Sequence, residues 1–102
     1  MTAPPYLLIY TSEAEDVLAD MRSRKQYATK FKKVQKTLRL LRDDPRYPSL
    51  NSHAYQSMKG PGGVTLWDSY VENKTPGAWR IFWIYGPEKD CMTIISIGPH
   101  PD

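Results

Sequence analysis

The sequence predicts an α+β fold with the element order β-α-α-β-β-β, in which a helical hairpin packs on one face of an antiparallel sheet. Apolar residues recur with helical periodicity between residues 12 and 41. The segments after residue 64 are rich in β-branched and aromatic residues, and strong turn sequences separate them. The chain has 102 residues, which is enough for one modest core, so we expect a single domain over residues 1–102.

The first strand and the first helix are predicted between residues 6 and 22. Residues 6–10 form a short apolar run, typical of a strand, after two prolines. Ser12 is the expected N-cap of the helix, and Glu15, three residues later, completes a capping box. The helix then repeats apolar residues on one face, at Ala14, Val17, Leu18 and Met21.

The second helix carries two separate stripes. Its apolar residues recur at spacings of four and three, at Tyr27, Phe31, Val34, Leu38 and Leu41. Its basic residues form another row, at Lys25, Lys32, Lys36 and Arg39. Asp43, Asp44 and Pro45 are expected to end the helix. Two helices separated by a short gap form an antiparallel hairpin, so we expect the basic row to project away from the core.

Three antiparallel strands are predicted in the last third of the chain, at residues 64–71, 79–85 and 91–97. The turns between them are short, so the strands form a meander. Residues 47–63 have no firm period and are predicted as a loop or partial strand. Because helices cover only one face of the sheet, we expect the other face to stay partly open. Exposed aromatic side chains beside basic residues would suit RNA. The alternative, which we prefer for most of these aromatic residues, is that they fill the core.

The charge of the chain is strongly segregated. Residues 22–46 contain ten basic and two acidic residues, a local net charge of +8, whereas the formal net charge of the whole chain is +3. Such a patch is typical of proteins that bind a polyanion, because each neutralised phosphate releases counterions. The alternative is a solvated helix face.

The composition argues against a membrane, secreted or zinc-binding protein. The apolar runs are only a few residues long, and no basic-then-apolar leader precedes a small-residue cleavage site. Cys91 is the only cysteine, and the two histidines lack metal-ligand spacing. We therefore expect a cytoplasmic protein without a metal or another small-molecule cofactor.

Several segments carry a family resemblance through their order and spacing. They are the strand and Ser-capped helix at residues 6–21, the basic helix to Leu41, and the segment at residues 48–53. The strongest is the end of the chain, where Arg80 opens the penultimate strand and Gly98-Pro99-His100 closes the last one. Together these segments resemble the RelE/ParE superfamily of prokaryotic type II toxins over nearly the whole chain.

The resemblance implies a single RelE/ParE-like toxin domain that a cognate antitoxin neutralises. RelE-like members inhibit growth by cutting messenger RNA in the A site of the ribosome, without a metal, whereas ParE-like members inhibit DNA gyrase and lack catalytic residues. We expect a RelE-like endoribonuclease whose partners are the ribosome and mRNA. The alternatives are a ParE-like gyrase inhibitor and a degenerate toxin that only binds nucleic acid or a partner protein. The basic residues predict an acidic antitoxin segment that wraps over the toxin and binds less tightly in salt.

Arg80, His100 and His53 are the expected catalytic residues. Metal-independent RNA cleavage needs a base, a fixed cation and an acid. His100 matches the family's terminal histidine and suits a proton-transfer role. Arg80 matches the family's phosphate-binding arginine, and the alternative for it is an ion pair with an acid such as Asp68. His53 lies near the loop in which some relatives carry a catalytic glutamate or lysine. The expected RNA-binding residues are Lys32, Lys33, Lys36 and Arg39.

Two departures from the family pattern bear on activity. Pro101 and Asp102 follow His100 where some ribonuclease members carry a tyrosine, and residues 48–59 contain no glutamate. Either Asp102 or His53 then assists His100 and Arg80, or the activity is weak.

Overall fold

The computed structural model describes residues 4–99 and confirms the α+β class. The strands are β1 (Leu7–Tyr10), β2 (His53–Ala54), β3 (Trp67–Tyr70), β4 (Trp79–Tyr85) and β5 (Cys91–Pro99), and the helices are α1 (Ser12–Ser23) and α2 (Ala28–Asp43). Short 3₁₀ helices lie at Lys25–Tyr27, Pro48–Leu50 and Pro61–Gly63. None of the helices in this part of the chain has the length and apolar character that crossing a membrane requires.

The five strands form one mixed sheet with the order β1-β5-β4-β3-β2. The three neighbouring pairs from β5 to β2 are antiparallel, as predicted, but β1 pairs with β5 in parallel. This corrects the wholly antiparallel sheet that the sequence predicts. Parallel neighbours need a long connection, which the chain between β1 and β5 supplies, and a four-residue strand carries no signal about its partner.

A β-bulge in β5 keeps the apolar side chains of this strand on the side that faces the helices. Ile81 lies opposite Ile97 and Trp83 lies opposite Ile94, so β5 contains one more residue than β4 between these pairs. Ile94 and Ile97 are both buried in the core. A strict two-residue alternation would have turned one of them to the opposite face of the sheet.

The core lies between the two helices and the sheet, and both helices pack on the same face. Its buried residues are Ala14, Met21, Val34, Leu38, Leu41, Leu50, Ile81, Trp83, Met92, Ile94 and Ile97. Trp83 Nε1–H donates a hydrogen bond of 2.8 Å to Ser69 Oγ, which lies 2.7 Å from Ser52 Oγ. This chain of polar groups satisfies the buried indole and ties β4 to β3 and to the segment before β2.

Thr11, rather than Ser12, caps α1. Thr11 Oγ1 accepts a hydrogen bond from Ala14 N–H at 3.1 Å and donates one to the Ile95 carbonyl oxygen at 2.7 Å. One hydroxyl therefore caps the helix and fixes its start to β5, whereas Ser12 is already the first residue of α1. The capping box predicted from Ser12 and Glu15 is corrected accordingly.

The face of the sheet opposite the helices, which we call the outer face, is covered in part by residues 55–66. The Tyr55 ring packs against the Phe82 ring at 5.0 Å between centroids, and a Cβ on Gly60 would lie 2.8 Å from Ile84 Cγ2. Phe82 and Leu66 are consequently buried. The outer face therefore stays open only in part, and Phe82 fills a core, as the preferred alternative for most aromatic residues expects. The covering segment itself could not be predicted, because a segment without periodicity gives no signal about what it packs against.

Glu72 ties the start of α2 to the connection between β3 and β4. Its side chain is 15% exposed, and its carboxylate accepts hydrogen bonds from Lys30 Nζ at 2.9 Å, from Lys33 Nζ at 3.4 Å and from Trp79 N–H at 3.1 Å. Burial alone raises the pKa of Glu72, but these donors outweigh burial and hold the pKa below its ordinary value of 4.5.

Glu72 is expected to contribute stability that is lost in acid. A carboxyl whose pKa is lowered by folding stabilises the folded state above its unfolded pKa, and the contribution disappears as the pH falls through the folded value. The difference in the free energy of unfolding between the wild type and Glu72→Gln should therefore shrink as the pH falls below 4.5. Urea denaturation at several pH values measures this difference, and a constant difference would contradict the prediction.

Candidate active site

A carboxylate on the outer face joins two of the predicted catalytic residues. Asp68 on β3 is fully buried. Arg80 Nη1 lies 3.3 and 3.2 Å from its two oxygens, and His53 Nε2 lies 3.5 Å from Oδ2. Strand register brings the three together, because His53 lies directly opposite Asp68 on β2 and Arg80 lies diagonally across from Asp68 on β4. The ion pair between Arg80 and Asp68, which the sequence offered as an alternative, is present.

Arg80 is held by two neighbours on β3 and keeps unused hydrogen-bond donors. Tyr70 lies directly opposite Arg80, and the guanidinium carbon is 3.9 Å from the centroid of the Tyr70 ring. Of the three guanidinium nitrogens of Arg80, Nη1 is the one that contacts Asp68. Nε is buried and has no hydrogen-bond partner among residues 4–99. The Arg80 side chain is 15% exposed, so a fixed cation with free donors lies at the edge of the surface.

Open space adjoins Arg80 on the side of β5. Gly98 lies directly opposite Arg80, and a Cβ on Gly98 would meet no atom of residues 4–99 within 4 Å. Residues directly opposite each other in an antiparallel pair share a face, so this space belongs to the outer face. His100 lies outside the described residues, as do Pro101 and Asp102, so the structure brings together two of the three predicted catalytic residues.

His53 is 44% exposed, but both of its ring nitrogens face acceptors on the protein. Nδ1 lies 2.7 Å from the carbonyl oxygen of Asn51, a residue with a left-handed backbone conformation (φ 45°), and Nε2 faces Asp68. His53 therefore lies against the carboxylate that also contacts Arg80.

The four predicted RNA-binding residues are exposed on α2 but do not line one groove. Lys33 and Lys36 line a groove of about 340 Å³ between α2 and the connection from β3 to β4, and Tyr70 lines it too. Arg39 lines a different groove, and Lys32 faces solvent. Of the four, only Lys33 and Lys36 share a groove with a residue that contacts Arg80, namely Tyr70.

Metal-ligand side chains are sparse in the described part of the chain. Residues 4–99 contain no group of three or more histidine, cysteine, aspartate or glutamate side chains that could hold a metal ion. Asp68 and His53 are adjacent, and the arginine beside them supplies the positive charge that balances the carboxylate.

Three solved structures superpose on nearly the whole chain, although no protein-family model and no curated protein sequence matches it significantly. A YoeB/ParE toxin from Agrobacterium tumefaciens gives a TM-score of 0.69 at 14% identity and covers 93% of this chain and 99% of its own. A chain of the archaeal RelE–RelB complex from Pyrococcus horikoshii gives 0.63 at 11% identity, with 93% and 94% covered. YafQ from E. coli gives 0.58 at 15% identity, with 91% of each chain covered. The chain has the RelE/ParE toxin fold.

The structure has a second groove, of about 250 Å³, between β1, α1 and α2. Its floor is apolar and includes Leu8, Leu18, Phe31 and Leu38, and its rim carries Arg22, Arg39 and Arg42. The strand beside it, β1, is an edge of the sheet. An apolar floor with a rim of arginines suits an acidic, amphipathic polypeptide.

Two residues of the site around Arg80, Asp68 and Tyr70, were not predicted to belong to it. The sequence predicts Asp68 only as the alternative ion-pair partner of Arg80, and it predicts no role for Tyr70. One signal was present: Asp68 is a charged residue directly after the apolar pair Leu66 and Trp67, within a predicted strand. Tyr70 follows two positions later and so shares its face.

Proposed function

We propose that this chain is the toxin of a type II toxin–antitoxin system and that it cleaves messenger RNA on the ribosome, in the cytoplasm, without a metal. The observation that carries the proposal is the arginine site. Among the described residues, 4–99, Nε of Arg80 has no hydrogen-bond partner, and a Cβ on Gly98 opposite it would meet no atom within 4 Å. A buried donor without a partner costs about 1–3 kcal/mol, so a small movement of the side chain that brings Nε to a phosphate oxygen is favoured.

The fold supports the toxin role in this proposal. The structure from Agrobacterium tumefaciens is named a YoeB/ParE toxin, and the structure from Pyrococcus horikoshii is a RelE–RelB complex. The intact RelBE toxin–antitoxin complex of E. coli also has this fold, at a TM-score of 0.55 and 18% identity. The shared fold and the basic face of α2 therefore support the proposal that this chain is a toxin with an antitoxin partner.

Cleavage of RNA through its 2′-OH requires three functions at one phosphodiester. The 2′-OH must lose a proton, the charge that develops on the phosphate oxygens must be stabilised, and the departing 5′ oxygen must gain a proton. Arg80 supplies the second function, because its planar guanidinium binds two phosphate oxygens. We assign the proton transfers to His100, with Asp102 as its candidate partner. We also assign His53 to this site, because its Nε2 lies 3.5 Å from Asp68 Oδ2.

The groove between α2 and the connection from β3 to β4, which Tyr70 shares with the arginine site, is the proposed path of the RNA backbone. Lys33 and Lys36 line this groove together with Tyr70, and lysines bind phosphates without reading the sequence. Lys32 and Arg39 are proposed as further backbone contacts on the exposed surface of α2. The specificity for a codon would then come from the ribosome and the bases near Arg80.

Primer extension on a message translated in a purified system tests the proposed function. With the protein present, we expect new cuts within codons in the ribosomal A site, and no cuts in the same RNA without ribosomes. Equal cleavage of free RNA would reject the dependence on the ribosome. A folded protein that cuts nothing would reject the nuclease, and its inhibition of DNA supercoiling would support the gyrase alternative.

The proposed antitoxin segment is acidic and amphipathic and lies in the groove between β1, α1 and α2. Its apolar side chains would cover the floor at Leu8 and Phe31, and its carboxylates would pair with the arginines of the rim. Because exposed charges are screened by salt, the affinity of the complex should fall as the salt concentration rises.

Arg39→Gln is expected to weaken antitoxin binding and to reduce its dependence on salt. An exposed ion pair contributes about 0.2–1 kcal/mol, which corresponds to a loss of affinity of roughly 1.5-fold to fivefold. Calorimetric titration with the cognate antitoxin at low and high NaCl measures both effects. Arg46→Gln is the control, since Arg46 is an exposed arginine outside this groove. Equal effects of the two substitutions would contradict the placement of the antitoxin.

A further inference from the structure

We propose that Asp68 is a positioning residue, which fixes Arg80 for phosphate binding and leaves the phosphate-binding edge of the guanidinium free. The role rests on the proposed function, because it concerns a residue of the same site. Asp68 is fully buried and so acts on RNA only through its neighbours. Arg80 and His53 both contact its carboxylate.

The contact between Asp68 and Arg80 uses a single guanidinium nitrogen. Nη1 faces both carboxylate oxygens, at 3.3 and 3.2 Å. In the paired arrangement that is frequent between arginine and a carboxylate, two nitrogens donate in parallel to the two oxygens. Asp68 engages neither Nη2 nor Nε of Arg80, and Nε has no partner among the residues that the structure describes. Asp68 therefore anchors one nitrogen and leaves the other two for a second anion.

Tyr70 fixes the plane of the same guanidinium. The guanidinium carbon of Arg80 lies 3.9 Å from the centroid of the Tyr70 ring. Tyr70 and Asp68 are two residues apart on β3, so their side chains lie on the same face and contact Arg80 from two directions. A side chain fixed before RNA binds loses little further conformational freedom when it binds, and its geometry is set for the transition state.

Glu72 distinguishes this role from ordinary ion pairing. Its carboxylate is also mostly buried, and its partners are Lys30, Lys33 and the Trp79 N–H. These contacts hold α2 against the connection between β3 and β4. Glu72→Gln therefore removes a mostly buried carboxylate that does not contact the Arg80 side chain, which makes it the control for the side-chain exchange measurement below.

Asp68→Asn keeps the shape of the side chain and removes its charge. We expect roughly 10–100-fold slower cleavage at saturating ribosomes, with a smaller change in the affinity for a 2′-O-methyl RNA that cannot be cleaved. Asp20→Asn is the control for the rate, because it removes an exposed carboxylate that pairs with Arg24 on α1 at 2.8 Å, and its rate should equal that of the wild type. In an Arg80→Lys background, Asp68→Asn should cause no further loss of rate, because it acts through Arg80.

NMR of the arginine side chains gives a readout that does not depend on cleavage. In the wild type, the Nε–H signal of Arg80 should exchange slowly with water, and Asp68→Asn should speed this exchange by about tenfold or more. If the protein cleaves no RNA, the proposed function fails and this measurement still decides the role of Asp68. Should Asp68→Asn not fold, Asp68→Glu keeps the charge but moves it by one methylene, and the same faster exchange is expected. Unchanged exchange in a folded variant, or an equal change in Glu72→Gln, overturns the proposal.

Discussion

Arg80→Lys is expected to slow mRNA cleavage by about 10²–10³-fold while the protein stays folded. Lysine keeps a positive charge beside Asp68, so the buried carboxylate is not left without a partner. It loses the planar set of donors that binds two phosphate oxygens, and it loses the stacking of the guanidinium on Tyr70. The defect should therefore fall on the chemical step rather than on the fold.

Time courses of primer extension measure this defect, and thermal unfolding monitored by circular dichroism shows whether the variant is folded. Arg46→Lys is the matched control, because Arg46 is exposed and makes no contact with Asp68 or Tyr70 in the described structure. Its rate should equal that of the wild type. An Arg80→Lys variant that cleaves as fast as the wild type would remove Arg80 from the catalytic machinery.

The elements of this fold are predictable because the signals for them are local. Apolar residues at spacings of four and three predict α2, and Asp43 and Asp44 followed by Pro45 predict where it ends. The pairing of β1 with β5 is not local, because nothing in the four residues of β1 identifies a partner at the other end of the chain. The β-bulge beside Ile95 could not be predicted from the sequence either, because it is recognised only when Ile94 and Ile97 are known to face the same core.

The candidate site is predictable only in part, for a related reason. Arg80 is predicted as a functional residue from its position at the start of a strand, and the basic residues of α2 are predicted from their number. The convergence of His53, Asp68 and Arg80 depends on the register between three strands, and single-sequence patterns leave register open. The cover that residues 55–66 place over the outer face depends on packing, so it too escaped prediction.

Trp83→Ala is expected to cost about 3–5 kcal/mol of stability, since it removes the largest fully buried side chain of the core. Trp83 is 1% exposed, and its ring stacks on Trp67 at 5.8 Å and meets Tyr85 edge-on at 4.9 Å. The substitution also removes the donor that satisfies Ser69 Oγ. A small domain has a total stability of about 5–15 kcal/mol, so much of the fold's margin would be lost. Urea denaturation followed by circular dichroism measures the loss.

Trp83→Phe separates the packing of this side chain from its hydrogen bond. Phenylalanine keeps an aromatic ring in the core, but it has no N–H, and Ser69 Oγ retains Ser52 as a partner. One hydrogen bond contributes about 0.5–1.5 kcal/mol, so Trp83→Phe should cost much less than Trp83→Ala. Met58→Ala, at an exposed position, should change stability by no more than about 0.5 kcal/mol. If both Trp83 variants lost the same free energy, the hydrogen bond to Ser69, and not the packing of the indole, would be the main reason for a tryptophan at this position.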